Sequence, residues 1–184
     1  TARQELQPPP KPLVNLAVSL PRFATFEWIV EKSVELGVST VQPLISEFSF
    51  VKKKTDVTEA KLERWQKIIR SSTEQTIRSD LLQILPVLTL QEWANRPGAE
   101  PCLFGYEGES AKPARQVLQE ARTLNPDKIW ALAGSEGGFS QQEVQSLIKL
   151  GQTPATLGPQ ILRAETACVA LISVIKYEFD QMRR

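Results

Sequence analysis

Lys128-Ile129-Trp130-Ala131-Leu132-Ala133 is a short apolar run, and Gly134-Ser135-Glu136-Gly137-Gly138-Phe139 is a glycine-rich turn. Ser140, with Glu143 three residues on, then opens a helix through a capping box. A strand passing through a tight turn into a capped helix is half of a βαβ unit, and the same order recurs on both sides of it. Upstream, strands are expected over Val14–Leu20, Thr40–Ile45, Gln83–Val87 and Cys102–Gly105. The helices between them are Phe26–Leu36, capped by Thr25 and stopped by Gly37, then Thr58–Arg78, and a short one opened by Thr89 and Glu92. A further helix is expected from Pro113 to Thr123, a last strand over Thr153–Leu157, and a long final helix from Ala164 to about Met182. Trp28, Ile29 and Leu36 mark the inner face of the first helix, and Leu62, Trp65, Ile68, Ile69 and Ser72 that of the second. This alternation implies an α/β fold, a mostly parallel sheet with helices on both faces. Such sheets bind ligands beyond the carboxyl ends of their strands.

The 184 residues suffice for one domain, and 41% apolar with 23% charged residues is ordinary globular usage, which excludes general disorder. No run approaches the ~18 apolar residues of a membrane helix, and TARQELQPPP is too polar for a signal peptide. A cytoplasmic protein without membrane attachment is expected. Residues 1–13 read as a linker or remnant arm, and the lack of an initiator Met points to a processed or trimmed chain. There is no histidine, which removes every Ser-His-Asp triad, Cys-His dyad and HExxH metal site. Cys102 and Cys168 stand far apart in apolar runs and read as reduced, buried thiols, so no metal is expected. Chemistry must then come from a cofactor or from positioning.

The net charge is only +1, yet eight cations face four acids between Phe48 and Arg78. Lys52, Lys53, Lys54, Arg64, Lys67, Arg70 and Arg78 belong to that excess, which would steer a polyanion such as RNA. The bland alternative is a solvated helix face beside a basic loop.

Three strand ends are candidates for binding. Phe104-Gly105-Tyr106-Glu107-Gly108-Glu109-Ser110 closes one, and Ala133 leads into the glycine turn. That turn lets a ligand approach backbone amides, although it lacks the phosphate-loop lysine and does not match GxGxxG. The third, Leu157-Gly158-Pro159-Gln160-Ile161-Leu162-Arg163-Ala164-Glu165-Thr166-Ala167, puts apolar side chains where a connection should be polar. Apolar side chains beside free amides suit a flat ring such as adenine.

Together these segments resemble the RsmE family of SPOUT (α/β-knot) methyltransferases. Gly134-Ser135-Glu136-Gly137-Gly138-Phe139-Ser140 with Glu143 matches the family's G-P-E-G-G-[FL]-[ST]-x-x-E, and Leu157–Ala167 matches L-G-x-R-I-L-R-x-E-T-A. Lys32-Ser33-Val34-Glu35-Leu36-Gly37-Val38 matches K-x-x-E-L-G-V, and Glu74, Gln75 and Arg78 match E-Q-x-x-R. The resemblance covers residues 14–184 as a SPOUT methyltransferase domain. It implies a C-terminal deep trefoil knot, S-adenosylmethionine as cofactor and methylation of uridine N3 in small-subunit ribosomal RNA. It further implies a homodimer paired partly through the last helix, for which Ala167, Cys168, Leu171, Val174 and Ile175 offer a close-packing stripe.

Family members usually begin with a PUA-type RNA-binding barrel, for which residues 1–13 are too short. Ser135 stands for the usual proline, and Gln160 and Phe48 stand for arginines, departures that bear on RNA contacts more than on the cofactor. By resemblance the cofactor site takes in Phe104, Gly105, Ala133, Gly134, Ser135, Glu136, Gly137 and Gly138 from the first two segments. Leu157, Gly158, Ile161, Leu162 and Thr166 complete it. Without histidine, a cation at the base is the economical way to acidify N3, which makes Arg163 the first catalytic candidate. Glu165 orients it or takes the proton, and Arg22 joins the basic residues as an RNA contact. Two alternatives stay open: another RNA target such as a ribose 2′-oxygen, and a knotted RNA-binding module without catalysis.

Overall fold

A computed structural model describes residues 9–76, 78–98 and 100–182. Residues 1–8, most of the expected arm, lie outside it. The strands are β1 (Leu13–Ser19), β2 (Thr40–Ile45), β3 (Gln83–Ile84), β4 (Leu88–Thr89), β5 (Cys102–Gly105), β6 (Lys112–Pro113), β7 (Lys128–Ala133) and β8 (Pro154–Thr156). The helices are α1 (Phe23–Glu35), α2 (Glu59–Thr76), α3 (Leu90–Ala94), α4 (Ala114–Thr123), α5 (Gln141–Lys149) and α6 (Ala164–Glu178). The sheet order is β3-β2-β1-β7-β5-β8-β6, with β4 continuing along β2 beyond β3, and all these pairings are parallel.

Period-two alternation splits the core between the two faces. Val14, Leu16 and Val18 of β1 and Ile129, Ala131 and Ala133 of β7 face a layer holding Phe26, Trp65, Leu118 and Leu171, from α1, α2, α4 and α6. Trp130 and Leu132 of β7, with Phe104 of β5, face the opposite layer, which holds Trp93 of α3 and Val144 of α5. Helices therefore cover both faces, as the alternation of elements requires.

Three local expectations change. The first helix starts at Phe23, three residues before Phe26, with Arg22 rather than Thr25 at its N-cap and no side-chain cap. The Arg22 amide instead donates to Glu136 Oε1 at 3.3 Å, a contact from 114 residues away. Of the expected strand Gln83–Val87 only Gln83–Ile84 forms β3, and pairing with β2 resumes past it in β4, because Pro86 has no N–H to donate between them. Trp28 and Leu62, expected inward, are 41% and 42% exposed, whereas Ile29, Trp65, Ile69 and Ser72 are buried. The stop at Gly37 is as expected: Gly37 N–H donates to Val34 O and Val38 N–H to Ser33 O, the paired bonds of a Schellman motif.

Candidate active site

Because the strands are parallel, the loops after β7, β5 and β8 emerge together at one edge of the sheet. They enclose a cavity of about 290 Å³. Ala133 to Phe139 form one wall, Gly105, Tyr106 and Glu107 another, and Leu157, Ile161 and Leu162 a third, with Ala164, Ala167 and Leu171 of α6 as floor. The glycine loop folds back on itself: Gly138 N–H donates to Ser135 O at 2.9 Å, and a Cβ on Gly134 would lie 2.8 Å from Gly138 Cα. On the β8 side, the Thr156 hydroxyl accepts from the Gly158 amide at 3.1 Å.

Most expected cofactor residues converge here, with three exceptions. Phe104 is fully buried one layer behind, its ring 6.0 Å from Tyr106 and 5.2 Å from Phe139, so it braces two lining rings without reaching the cavity. Gly158 turns the chain outside the lining, and Thr166 points to solvent while Ala167 and Leu171 face inward. Tyr106, Glu107, Phe139, Ala164, Ala167 and Leu171 also line the cavity; the sequence motifs and the packing stripe contain them, but not as cofactor residues. The four-residue spacing of Ala167 and Leu171 was the available signal.

A second, open cavity of about 640 Å³ adjoins the first and shares Glu136, Ile161, Leu162 and Ala164 with it. Arg22, Arg163 and Glu165 line it, so both catalytic candidates and one RNA candidate meet there. Thr25, Phe48 and Phe50 also line it. Phe48 is bound to the glycine loop, its carbonyl accepting from Ser135 Oγ at 2.8 Å.

The remaining basic residues divide. Lys52 donates to Glu47 O at 2.5 Å, Lys54 pairs with Glu92 at 2.7 Å, and Arg64 pairs with Glu27 at 2.7 Å. Lys53, Lys67 and Arg70 are exposed. Arg78 cannot serve as an RNA contact. Its side chain is 9% exposed, it grips Asp80 through two bonds of 2.8 Å, and it donates to Val34 O at the amino edge of the sheet, opposite both cavities. The two thiols are free and buried, and burial pushes Cys102 up to about 12 and Cys168 higher still, so neither is a nucleophile near neutrality. Among the described residues no cluster of three or more acidic or thiol groups could hold a metal ion, and no helix is long and apolar enough to cross a membrane.

The RNA methyltransferase domain family matches residues 8–176. Ribosomal RNA small subunit methyltransferase E of Buchnera aphidicola (subsp. Schizaphis graminum) is 33% identical over 177 residues, covering 92% of this chain and 67% of the relative. The chain belongs to the RsmE family. A solved RsmE from Neisseria gonorrhoeae, bound to S-adenosylmethionine, superposes with a TM-score of 0.77 at 32% identity, covering 89% of this chain and 65% of that one. A Legionella pneumophila protein in complex with the same cofactor gives 0.79 at 29% identity, covering 90% and 66%. The chain thus spans about two thirds of the length of these RsmE-like proteins.

Proposed function

We propose that this chain, through residues 14–184, is the methyltransferase domain of an RsmE-type enzyme acting on uridine N3 of 16S ribosomal RNA with S-adenosylmethionine. The observation that carries the reading is the pair of joined cavities: one apolar and glycine-walled, the other open and charged, sharing one wall. The first suits the cofactor. Leu157, Ile161 and Leu162 offer apolar contact to an adenine, backbone groups of the glycine loop offer hydrogen bonds, and Glu107 and Glu136 are carboxylates for its cationic centres. When bound, the cofactor supplies an electrophilic methyl group on sulfur.

Uridine N3 carries a proton at neutral pH and becomes a nucleophile only when that proton leaves. Arg163, at the rim of the second cavity, would stabilise negative charge on the adjacent carbonyl oxygens, and Glu165 would orient Arg163 or accept the proton. Lys52, Lys53, Lys54, Arg64, Lys67 and Arg70 would hold the RNA backbone in cytoplasmic small-subunit particles. The segment from Leu157 through α6 would form the trefoil knot, in keeping with the contacts of α6 to β1, β5 and β7 at the centre of the sheet. Of the five residues the sequence offers for a homodimer, Cys168, Leu171 and Ile175 are buried in the chain's own core, and Ala167 and Val174 stay half-buried, so pairing through α6 would draw on the latter two. Half-buried Ala170 and Ser173 and exposed Tyr177 follow one another along a further side of α6.

The test is calorimetric titration with S-adenosylmethionine, followed by nucleoside mass spectrometry of 16S RNA treated with protein and cofactor. Saturable binding and N3-methyluridine are expected, with Arg163→Ala lowering turnover at least 100-fold at unchanged cofactor affinity. Ribose methylation would replace the target assignment, and absence of cofactor binding by folded protein would overturn the enzyme.

A further inference from the structure

The segment after β2 turns the usual burial rule around. Ser49 and Val51 are 1% and 2% exposed, while Phe48 and Phe50 between and before them are 46% and 57% exposed. The backbone is not loose there. Glu47 N–H donates to the Glu143 carboxylate at 2.8 Å, Phe48 O accepts from Ser135 Oγ, and Phe50 N–H donates to Leu20 O at 2.8 Å. The buried Ser49 hydroxyl bonds Ser46 O and Val51 O, locking the turn from inside. A fixed backbone that buries a serine and holds two phenyl rings in water is spending hydrophobic free energy on a surface, and such apolar surfaces mark contact sites.

That surface borders the charged cavity, where Arg22 sits 5.9 Å from the centroid of the Phe50 ring and Arg163 and Glu165 complete the rim. Aromatic faces beside arginines suit a flat, polar-edged ring attached to an anionic chain, and every nucleobase has such a face. We propose that Phe50, with Phe48 beside it and Arg22 against it, is the stacking platform that receives the unpaired target base and positions it toward the cofactor cavity. These are positioning residues for the reaction proposed above, and the inference rests on that reading. Phe50 is the cleaner probe, since Phe48 also supports the glycine loop.

The experiment compares wild type with Phe50→Ala, Phe50→Leu and Phe50→Tyr. Each is measured for S-adenosylmethionine affinity, for binding of a fluorescent single-stranded uridine-containing RNA, and for methyl transfer to 16S RNA. Alanine and leucine are expected to weaken RNA binding and kcat/KM for RNA on the order of 5- to 100-fold, with tyrosine close to wild type and cofactor affinity unchanged in all. If leucine performs like phenylalanine, the ring supplies only apolar bulk and the platform is overturned. RNA binding unmoved in every variant overturns it equally. A wild type that binds RNA but transfers no methyl group overturns the enzyme reading instead, and the leucine–tyrosine contrast in RNA binding still decides the platform.

Discussion

At the scale of single residues, Gly137 is the tightest point of the cofactor wall. A Cβ there would lie 2.7 Å from Phe48 Cβ, closer than real carbon neighbours come. Gly137→Ala is therefore expected to push the glycine loop off Phe48 and weaken S-adenosylmethionine binding about 10-fold or more by calorimetry, since packed sites relax only partly. The offending atom is a Cβ, so Phe48→Ala added to Gly137→Ala does not restore affinity, whereas Phe48→Gly does. A double-mutant cycle reads that coupling directly. The sequence displayed Gly137 through its motif, and it displayed the reason nowhere, because the contact joins residues 89 positions apart. Phe50 was invisible for a related reason. Only the hydrogen bonds fixing the turn reveal which of two alternating sets faces water.

At the scale of elements, helix starts show what local sequence can and cannot carry. Both capping boxes form as read: Thr89 Oγ1 accepts from the Glu92 amide at 3.1 Å, and Ser140 Oγ from that of Glu143 at 3.3 Å. Thr25 has the chemistry of a cap, yet α1 starts at Phe23, where Glu136 from another loop accepts from the Arg22 amide. Glu92 adds a tertiary partner to its cap. The Lys54 ammonium, with the Thr89 amide and hydroxyl, holds its carboxyl down from 4.5 to about 2. A depressed carboxylate stabilises the fold above its unfolded value and loses that contribution as pH falls through its folded value. The loss accordingly runs from about 4.5 down to about 2. Acid titration of thermal stability is expected to be shallower across that window for Glu92→Gln than for wild type, and a parallel pair of curves would refute the assignment.

At the scale of the whole molecule, the parallel sheet gives the protein two unlike ends. The carboxyl edge gathers both cavities. The amino edge holds a structural knot of charge in which Arg78 keeps the Asp80 carboxyl below its ordinary range, and burial lowers the neighbouring Lys176. Motif and charge count alike nominate Arg78 for RNA, since neither shows that its side chain turns inward onto Asp80 and Val34 O. Arg78→Ala is expected to cost roughly 1–3 kcal/mol of stability by stranding Asp80 and Val34 O, with no change in the salt dependence of RNA binding. Lys67→Ala is expected to do the reverse, reducing that salt slope by about 1 at unchanged melting temperature. Urea unfolding and fluorescence anisotropy across a salt series separate the two. The fold class was legible because parallel strands and their helices announce themselves locally, whereas which face of α6 is spent inside depends on the sheet it meets. The wall of Glu136, Ile161, Leu162 and Ala164 belongs to both cavities at once. Any coupling between two ligands that lean on one wall is reciprocal: by whatever factor the first to arrive changes the hold on the second, the second changes the hold on the first.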